Sequence, residues 1–286
     1  MDGIIIGVLE QGLIYGIMAL GICISYKILD FPDLSVDGTF PLGAAVSTAL
    51  VCRGINPWLC LLAAAVCGAL AGAITGFFNV KLKIKDLLAG ILMMTALYSV
   101  NYRIVGAPNK FLMQEKTIFT VAEKFPAWLQ SYKYLLFIVV IAVFAKLILD
   151  WYLRTKSGFL LRSAGDNEQL IVTLAKNPGT VKIIGLSIAN SLVALSGALS
   201  CQRNMQFDIT SGTGILVMGL AAVIIGTTVF GKLKLFNLTT GVLLGMIIYK
   251  ACITGAISAG LQSSDTNLII TLLFVATLLV SKKRRN

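Results

Sequence analysis

Stretches of about 20 apolar residues recur along this chain, the length a helix needs to cross a hydrocarbon core of about 30 Å. They run from Ile4 to Ile28, Trp58 to Val80, Leu87 to Val105, Tyr134 to Leu153, Ile183 to Cys201, Ile215 to Phe230, Leu238 to Ile257 and Leu268 to Val280. The pattern predicts an all-α, polytopic integral membrane protein with about eight transmembrane helices. A further run, Phe40 to Cys52, is too short to span alone as a helix. Met1 to Ile28 opens with Asp2 instead of a basic cluster, and its apolar run is longer than that of a signal peptide. It is expected to stay as a transmembrane helix.

With 57% hydrophobic and only 13% charged residues, the positions of the charges carry information. A net charge of +11 raises nucleic acid as a partner. Most Lys and Arg residues, however, lie in short connectors beside apolar runs and form no folded basic surface, which argues against that class. Lys81, Lys83 and Lys85 crowd one connector, Arg154 to Lys182 another, Lys232 and Lys234 a third, and Lys282 to Arg285 the C-terminal end. Placing all four in the cytoplasm gives consistent alternation from Trp58 onward. The chain then reads as one transmembrane domain over residues 1–286, with 106–133 extracytoplasmic and 158–177 cytoplasmic. Gly68, Gly72 and Gly76 share one helix face at four-residue spacing, with Gly12 and Gly16, and Gly241 and Gly245, repeating the device. Such faces allow close backbone approach, either within the chain or between subunits.

Asp30-Phe-Pro-Asp33-Leu-Ser35-Val-Asp37-Gly38-Thr-Phe-Pro41 interrupts the apolar pattern with three carboxylates, two prolines and a glycine. An Asp at the centre of a spanning helix costs about 2.5–3.5 kcal/mol, so this stretch is expected to face protein, water or a polar cavity. One reading makes it a broken or re-entrant helix lining a translocation pathway. The other makes Asp33 or Asp37 a cap for the following helix, with Gly38 and Pro41 as turn residues. Asp208-Ile-Thr-Ser-Gly-Thr-Gly214 followed by Leu220-Ala-Ala-Val223 loosely echoes Asp33 to Thr39 followed by Gly43-Ala-Ala-Val46. Glu10, Gln11, Asn79, Asn101, Arg103, Asn190 and Lys250 are further polar residues within apolar runs. Asn101, Asn190 and Gln202 join Asp33, Ser35, Asp37 and Gly38 as candidate pathway residues.

Chemistry on this chain itself is not expected. Gly226-Thr-Thr-Val-Phe-Gly231-Lys232-Leu233 approaches a phosphate-binding loop, but Leu233 replaces the hydroxyl that should reach magnesium. The segment also ends an apolar run instead of joining a strand to a helix. There is no His, no paired metal-ligand spacing among the Cys residues and no nucleophile beside a base. No metal or cofactor is expected on this chain.

The polar stretch Gly158 to Asn177 therefore carries the functional weight. Arg162, Gly165, Asp166, Asn167 and Glu168 stand at its centre, and Ala164 to Lys176 is expected to form a short helix with Leu170, Ile171 and Leu174 as its apolar stripe. Lying along the cytoplasmic face, such a helix suits docking onto a soluble subunit.

On these residues the chain resembles the membrane permeases of ABC importers of the branched-chain amino acid and ribose type. The resemblance rests on the Gly-x-Asn core around Gly165 and Asn167, on Asp33-Leu-Ser-Val-Asp-Gly38, and on Ser211-Gly-Thr-Gly followed by Ala221-Ala-Val-Ile-Ile-Gly226. The wording of Asp30 to Ala45 resembles a subgroup associated with tryptophan and tyrosine uptake. The resemblance implies that Gly158, Arg162, Gly165, Asp166, Asn167, Glu168 and Asn177 engage a separate cytoplasmic ATPase, which carries ATP and Mg. It further implies an extracytoplasmic solute-binding protein, a second permease copy and a bacterial cytoplasmic membrane as the setting. Ala175 and Lys176 depart from the family's usual Gly-Ile before Asn. Branched-chain amino acids, sugars and nucleosides are alternative solutes. An ion-coupled secondary transporter using Glu10, Asp33 and Asp37 is the alternative of a different class.

Overall fold

The computed structural model describes residues 2–113, 115–120, 132–166, 168–173, 177–231, 237–258, 271 and 275. Helix α1 (Asp2–Ile22) runs without a break into a π-helical turn, Cys23–Ile28. There follow α2 (Val36–Val51), α3 (Pro57–Val80), α4 (Asp86–Val105) and the short strand β1 (Asn109–Phe111). Then come α5 (Lys133–Arg154), α6 (Lys156–Asp166), α7 (Glu168–Thr173) and α8 (Pro178–Asn204). Strand β2 (Gln206–Asp208), a 3-10 turn (Ile209–Gly212), α9 (Ile215–Phe230) and α10 (Leu238–Ser258) complete the described elements.

Among the described residues, 7 helices are long and apolar enough to cross a membrane. The run from Leu268 to Val280, expected as one more, lies outside the described residues apart from Thr271 and Val275, both helical. The chain is a multi-pass membrane protein of all-α architecture.

Helix α8 is the axis of the bundle. Its buried stripe includes Leu186, Ala189, Asn190, Val193, Ala194 and Ala198. The glycine stripe of α3 lies on it: Gly68 meets Asn190 and Ala194, Gly72 the carbonyl of Leu186, and a Cβ on Gly76 would stand 2.9 Å from the Ile183 Cα. The small-residue face read from sequence thus packs two helices of the same chain. Gly12 and Gly16 seat α1 against Ile247 and Leu243 of α10, while Gly245 meets Ala222 of α9. The opposite faces carry exposed Leu62, Val66 and Leu70 on α3 and Val140, Phe144 and Leu147 on α5. These outward apolar faces match lipid.

Helix α2 is the exception in length and setting. Its 16 residues reach about 24 Å at 1.5 Å per residue, short of a full crossing. Thirteen of them, from Val36 to Val51, are buried, so the helix is surrounded by protein and not by lipid. It starts at Val36, four residues ahead of the apolar run, because its polar first turn finds partners inside the bundle. Pro41 has no N–H, which leaves the Asp37 carbonyl without its helical partner. Gly212 abuts that carbonyl and the Pro41 ring. The stretch Gln202 to Gly214 accordingly folds back into the protein: Phe207, Ile209 and Gly212 are buried. β2 pairs antiparallel with β1, Asn109 opposite Asp208 and Phe111 opposite Gln206.

Candidate functional site

The short helix α2 meets the start of α9 inside the bundle, and the broken segment supplies the polar groups that hold it there. Asp33 is fully buried. Its carboxylate accepts the Ser35 amide at 2.9 Å and the Asn190 side-chain amide at 2.8 Å, and the Ser35 hydroxyl donates to the Asn190 oxygen at 3.3 Å. Asp37, in the first turn of α2, caps a different helix. Its carboxylate accepts the backbone amides of Gly214 (3.3 Å) and Leu216 (2.9 Å) at the start of α9. Unpaired amides and the dipole at a helix N-terminus favour an anion there.

The other candidate pathway residues serve the same joint. Asn101 of α4 donates to the carbonyl of Gly38 at 3.1 Å. Gln202 of α8 donates to the Ser47 hydroxyl at 3.0 Å and accepts the Ile118 amide at 3.1 Å. Asp33, Ser35, Asp37, Gly38, Asn101 and Asn190 thus fall into one hydrogen-bonded neighbourhood, and Gln202 pins the far end of α2. The echo between the two polar segments is also structural. Asp208 accepts the Thr210 amide at 2.8 Å, the same Asp-x-hydroxyl turn that Asp33 makes with Ser35.

Beside this joint lies a feature that no sequence pattern announces. Tyr15 and Phe40 stack with ring centroids 5.7 Å apart, and the Lys250 ammonium sits 3.8 Å from the Tyr15 centroid. Lys250 was visible in the sequence as a charge within a span; the aromatic pair, drawn from α1 and α2, left no signal. Tyr15 and Phe40 border a cavity of about 190 Å³ with Ser200, Asn204 and Ser211. The Ser211 hydroxyl is buried there without a hydrogen-bond partner. A neighbouring cavity of about 160 Å³ holds Glu10 and Arg203, which pair at 2.7 Å.

At the opposite face the polar stretch Gly158 to Asn177 is mostly helical. α6 begins at Lys156, not at Ala164 as its sequence suggests, because Thr155 takes an extended conformation and its hydroxyl accepts the Gly158 amide at 3.3 Å. Gly158 packs against the backbone of Tyr152 and Leu153, and Gly165 against the Ile28 carbonyl at the foot of the π-helical turn. Side chains at those two positions would collide with backbone, so both glycines seat α6 on the bundle. Arg162 is exposed between them. Asp166 and Glu168 end α6 and begin α7; Asn167, Ala175 and Lys176 lie outside the described residues. Asn177 caps α8, its side-chain oxygen accepting the Gly179 amide at 2.9 Å.

A family model described as the permease component of a branched-chain amino acid transport system matches residues 4–280. The chain belongs to this permease family. It is 43% identical over 278 residues to the tyrosine transport system permease protein of Clostridioides difficile, covering 97% of this chain and 91% of that one. It is 26% identical over 289 residues to the ribose import permease protein RbsC of Escherichia coli, covering 97% of this chain and 85% of the relative. With the fructose import permease protein FruF of Bifidobacterium longum the identity is 24% over 266 residues, 91% of this chain and 73% of that one. No solved structure matches the chain significantly. The permease is therefore the membrane component of an ABC-type transport system, multi-pass in the cell membrane, and its family is one of transporters, not enzymes.

Proposed function

We propose that this permease passes an aromatic amino acid, of the tyrosine or tryptophan class, into the cytoplasm. The observation that carries the solute class is the 43% identity across 97% of the chain with a protein named for tyrosine transport. In this reading two copies of the permease stand on two cytoplasmic ATPases, and an extracytoplasmic binding protein delivers the solute to the outer segments.

Closure of the ATPases around ATP and Mg pushes on Gly158 to Asn177, with Arg162, Asp166, Asn167 and Glu168 on the docking face. Because Gly165 bears on the Ile28 carbonyl, the push enters the bundle at the foot of α1. α2 and α9, joined through Asp37, then move as one body against α1 and α8, a change between two packed states. Asp33, Ser35, Gly38, Asn101, Asn190 and Gln202 lie where α2 and its approach meet α4 and α8, and line the path as those seams part. The cavity beside Tyr15 and Phe40 receives the solute ring, where an offset-stacked or edge-on aromatic contact adds about 0.5–1.5 kcal/mol beyond the area it buries.

The test is reconstitution of the permease with its co-purifying ATPase and binding protein in proteoliposomes. ATP-dependent uptake of labelled tyrosine or tryptophan, exceeding that of leucine and ribose, is the expected result. Preferred uptake of leucine or a sugar would replace the solute class. Uptake by the permease alone, driven by an ion gradient without any ATPase, would overturn the importer reading.

A further inference from the structure

On the face that carries α6, a cavity of about 440 Å³ opens between Lys27 at the foot of α1, Arg154 at the end of α5, Arg162 of α6, and Asn237 and Thr239 at the start of α10. Its one carboxylate is already engaged. Asp150 holds the Lys146 ammonium at 2.8 Å through one oxygen and accepts the Thr239 hydroxyl at 2.6 Å through the other. Among the described residues, Lys27, Arg154 and Arg162 make no ion pair. The first turn of α10 adds backbone amides that have no carbonyl partner within their own helix. Three cations without an ion-pair partner among the described residues, with a helix N-terminus, thus surround one cavity, the arrangement an anion requires.

Its surroundings identify the anion. Tyr26 on the π-helical turn and Trp151 on α5, two of the elements that frame the cavity, are exposed at 38% and 70%. Amphipathic aromatic rings at helix ends mark the headgroup level of a bilayer. Leu153, Ile28 and Leu238 contribute an apolar wall. Basic pockets between transmembrane helices at this level suit lipid phosphates. We propose that the cavity binds the phosphate of an anionic phospholipid, and that the lipid ties the coupling helix α6 to α1, α5 and α10. Lys27 and Arg154 sit in final helical turns, where a cation also complements the helix dipole. That role does not apply to Arg162, in the interior of α6, nor does it account for the convergence of all three. The site stands independently of which solute the permease carries.

The experiment places the full-length permease in nanodiscs of phosphatidylcholine, with and without phosphatidylglycerol. Retained lipid is read by native mass spectrometry and the unfolding midpoint by intrinsic fluorescence. The wild type is expected to retain phosphatidylglycerol and to gain midpoint from it. In K27Q/R154Q retention should weaken about five-fold per cation removed, whereas K27R/R154K should bind as the wild type does. Equal midpoints of all three in pure phosphatidylcholine show that the fold is intact, and R154Q alone serves if the double change prevents folding. Undiminished retention in the Gln variants overturns the proposal. Inorganic phosphate in pure phosphatidylcholine is expected to leave the midpoint unchanged. Stabilisation matching that by phosphatidylglycerol would assign the site to a soluble anion, and lipid dependence seen only with ATPase bound would assign it to a protein partner; either overturns the lipid.

Discussion

Asp37 stands in the first turn of one helix and caps the N-terminus of another, so its carboxylate holds two part-buried backbone amides that would otherwise lack an acceptor. Leaving a buried amide unpaired costs about 1–3 kcal/mol. Asp37→Ala is therefore expected to lower stability by about 1–3 kcal/mol, seen as a fall in unfolding midpoint in detergent. Asp37→Asn, which keeps one accepting oxygen, should lose less; equal losses would show that the negative charge matters more than the hydrogen bonds. From sequence, Asp33 and Asp37 were legible as carboxylates out of place in an apolar chain. Their partners were not. Gly214 and Leu216 contribute only main-chain amides, which every residue has, so no pattern pointed to them. The stacked Tyr15 and Phe40 were hidden for a related reason: an aromatic residue in an apolar run looks like any core residue.

The helices themselves were legible at the scale of the element, because span length and hydrophobicity are local properties. Their ends and depths were less so. α6 begins ahead of its apolar stripe because Thr155 provides a cap, and α2 starts in a polar segment because its partners lie in α8 and α9. The glycine stripe was read correctly as a packing face, while its partner helix emerged only from the fold. Gly72→Leu should push α3 off the Leu186 carbonyl and destabilise by about 3 kcal/mol, measurable as loss of folded protein on heating in detergent. Gly165→Val tests a different junction. It forces α6 away from Ile28 while leaving the spanning helices packed, so the midpoint should move little. ATP hydrolysis by the assembled transporter should persist, but its stimulation by loaded binding protein should be lost.

For the whole molecule, the two-stranded clasp between β1 and β2 links the outer segment after α4 to the chain that turns inward to begin α9. A cysteine pair at Phe111 and Gln206, opposite one another in the ladder, should cross-link under oxidation. The cross-linked permease is expected to lose uptake and to regain it with reductant; unaffected uptake would show that the clasp stays closed through the cycle. The seven long helices among the described residues, and the class of protein, followed from composition and run length. The meeting of α2 and α9 inside the bundle did not, because it depends on contacts between segments far apart in the chain, such as Asp37 with Leu216, 179 residues on.

That separation bears on how the protein is made. Asn101, Asn190, Gln202 and the amides of Gly214 and Leu216, which satisfy the polar groups of α2 and its approach, all follow it in the chain. During synthesis α2 emerges before every one of them, too short to cross the bilayer and carrying carboxylates that lipid rejects. Helices α3 and α4, made next, can flank it, but its polar groups find their partners in α8 and α9 only once those have been made. A ribosome stalled before Pro178 would hold α2 without the hydrogen-bond partners that α8 and α9 supply, an incomplete segment for quality control to find.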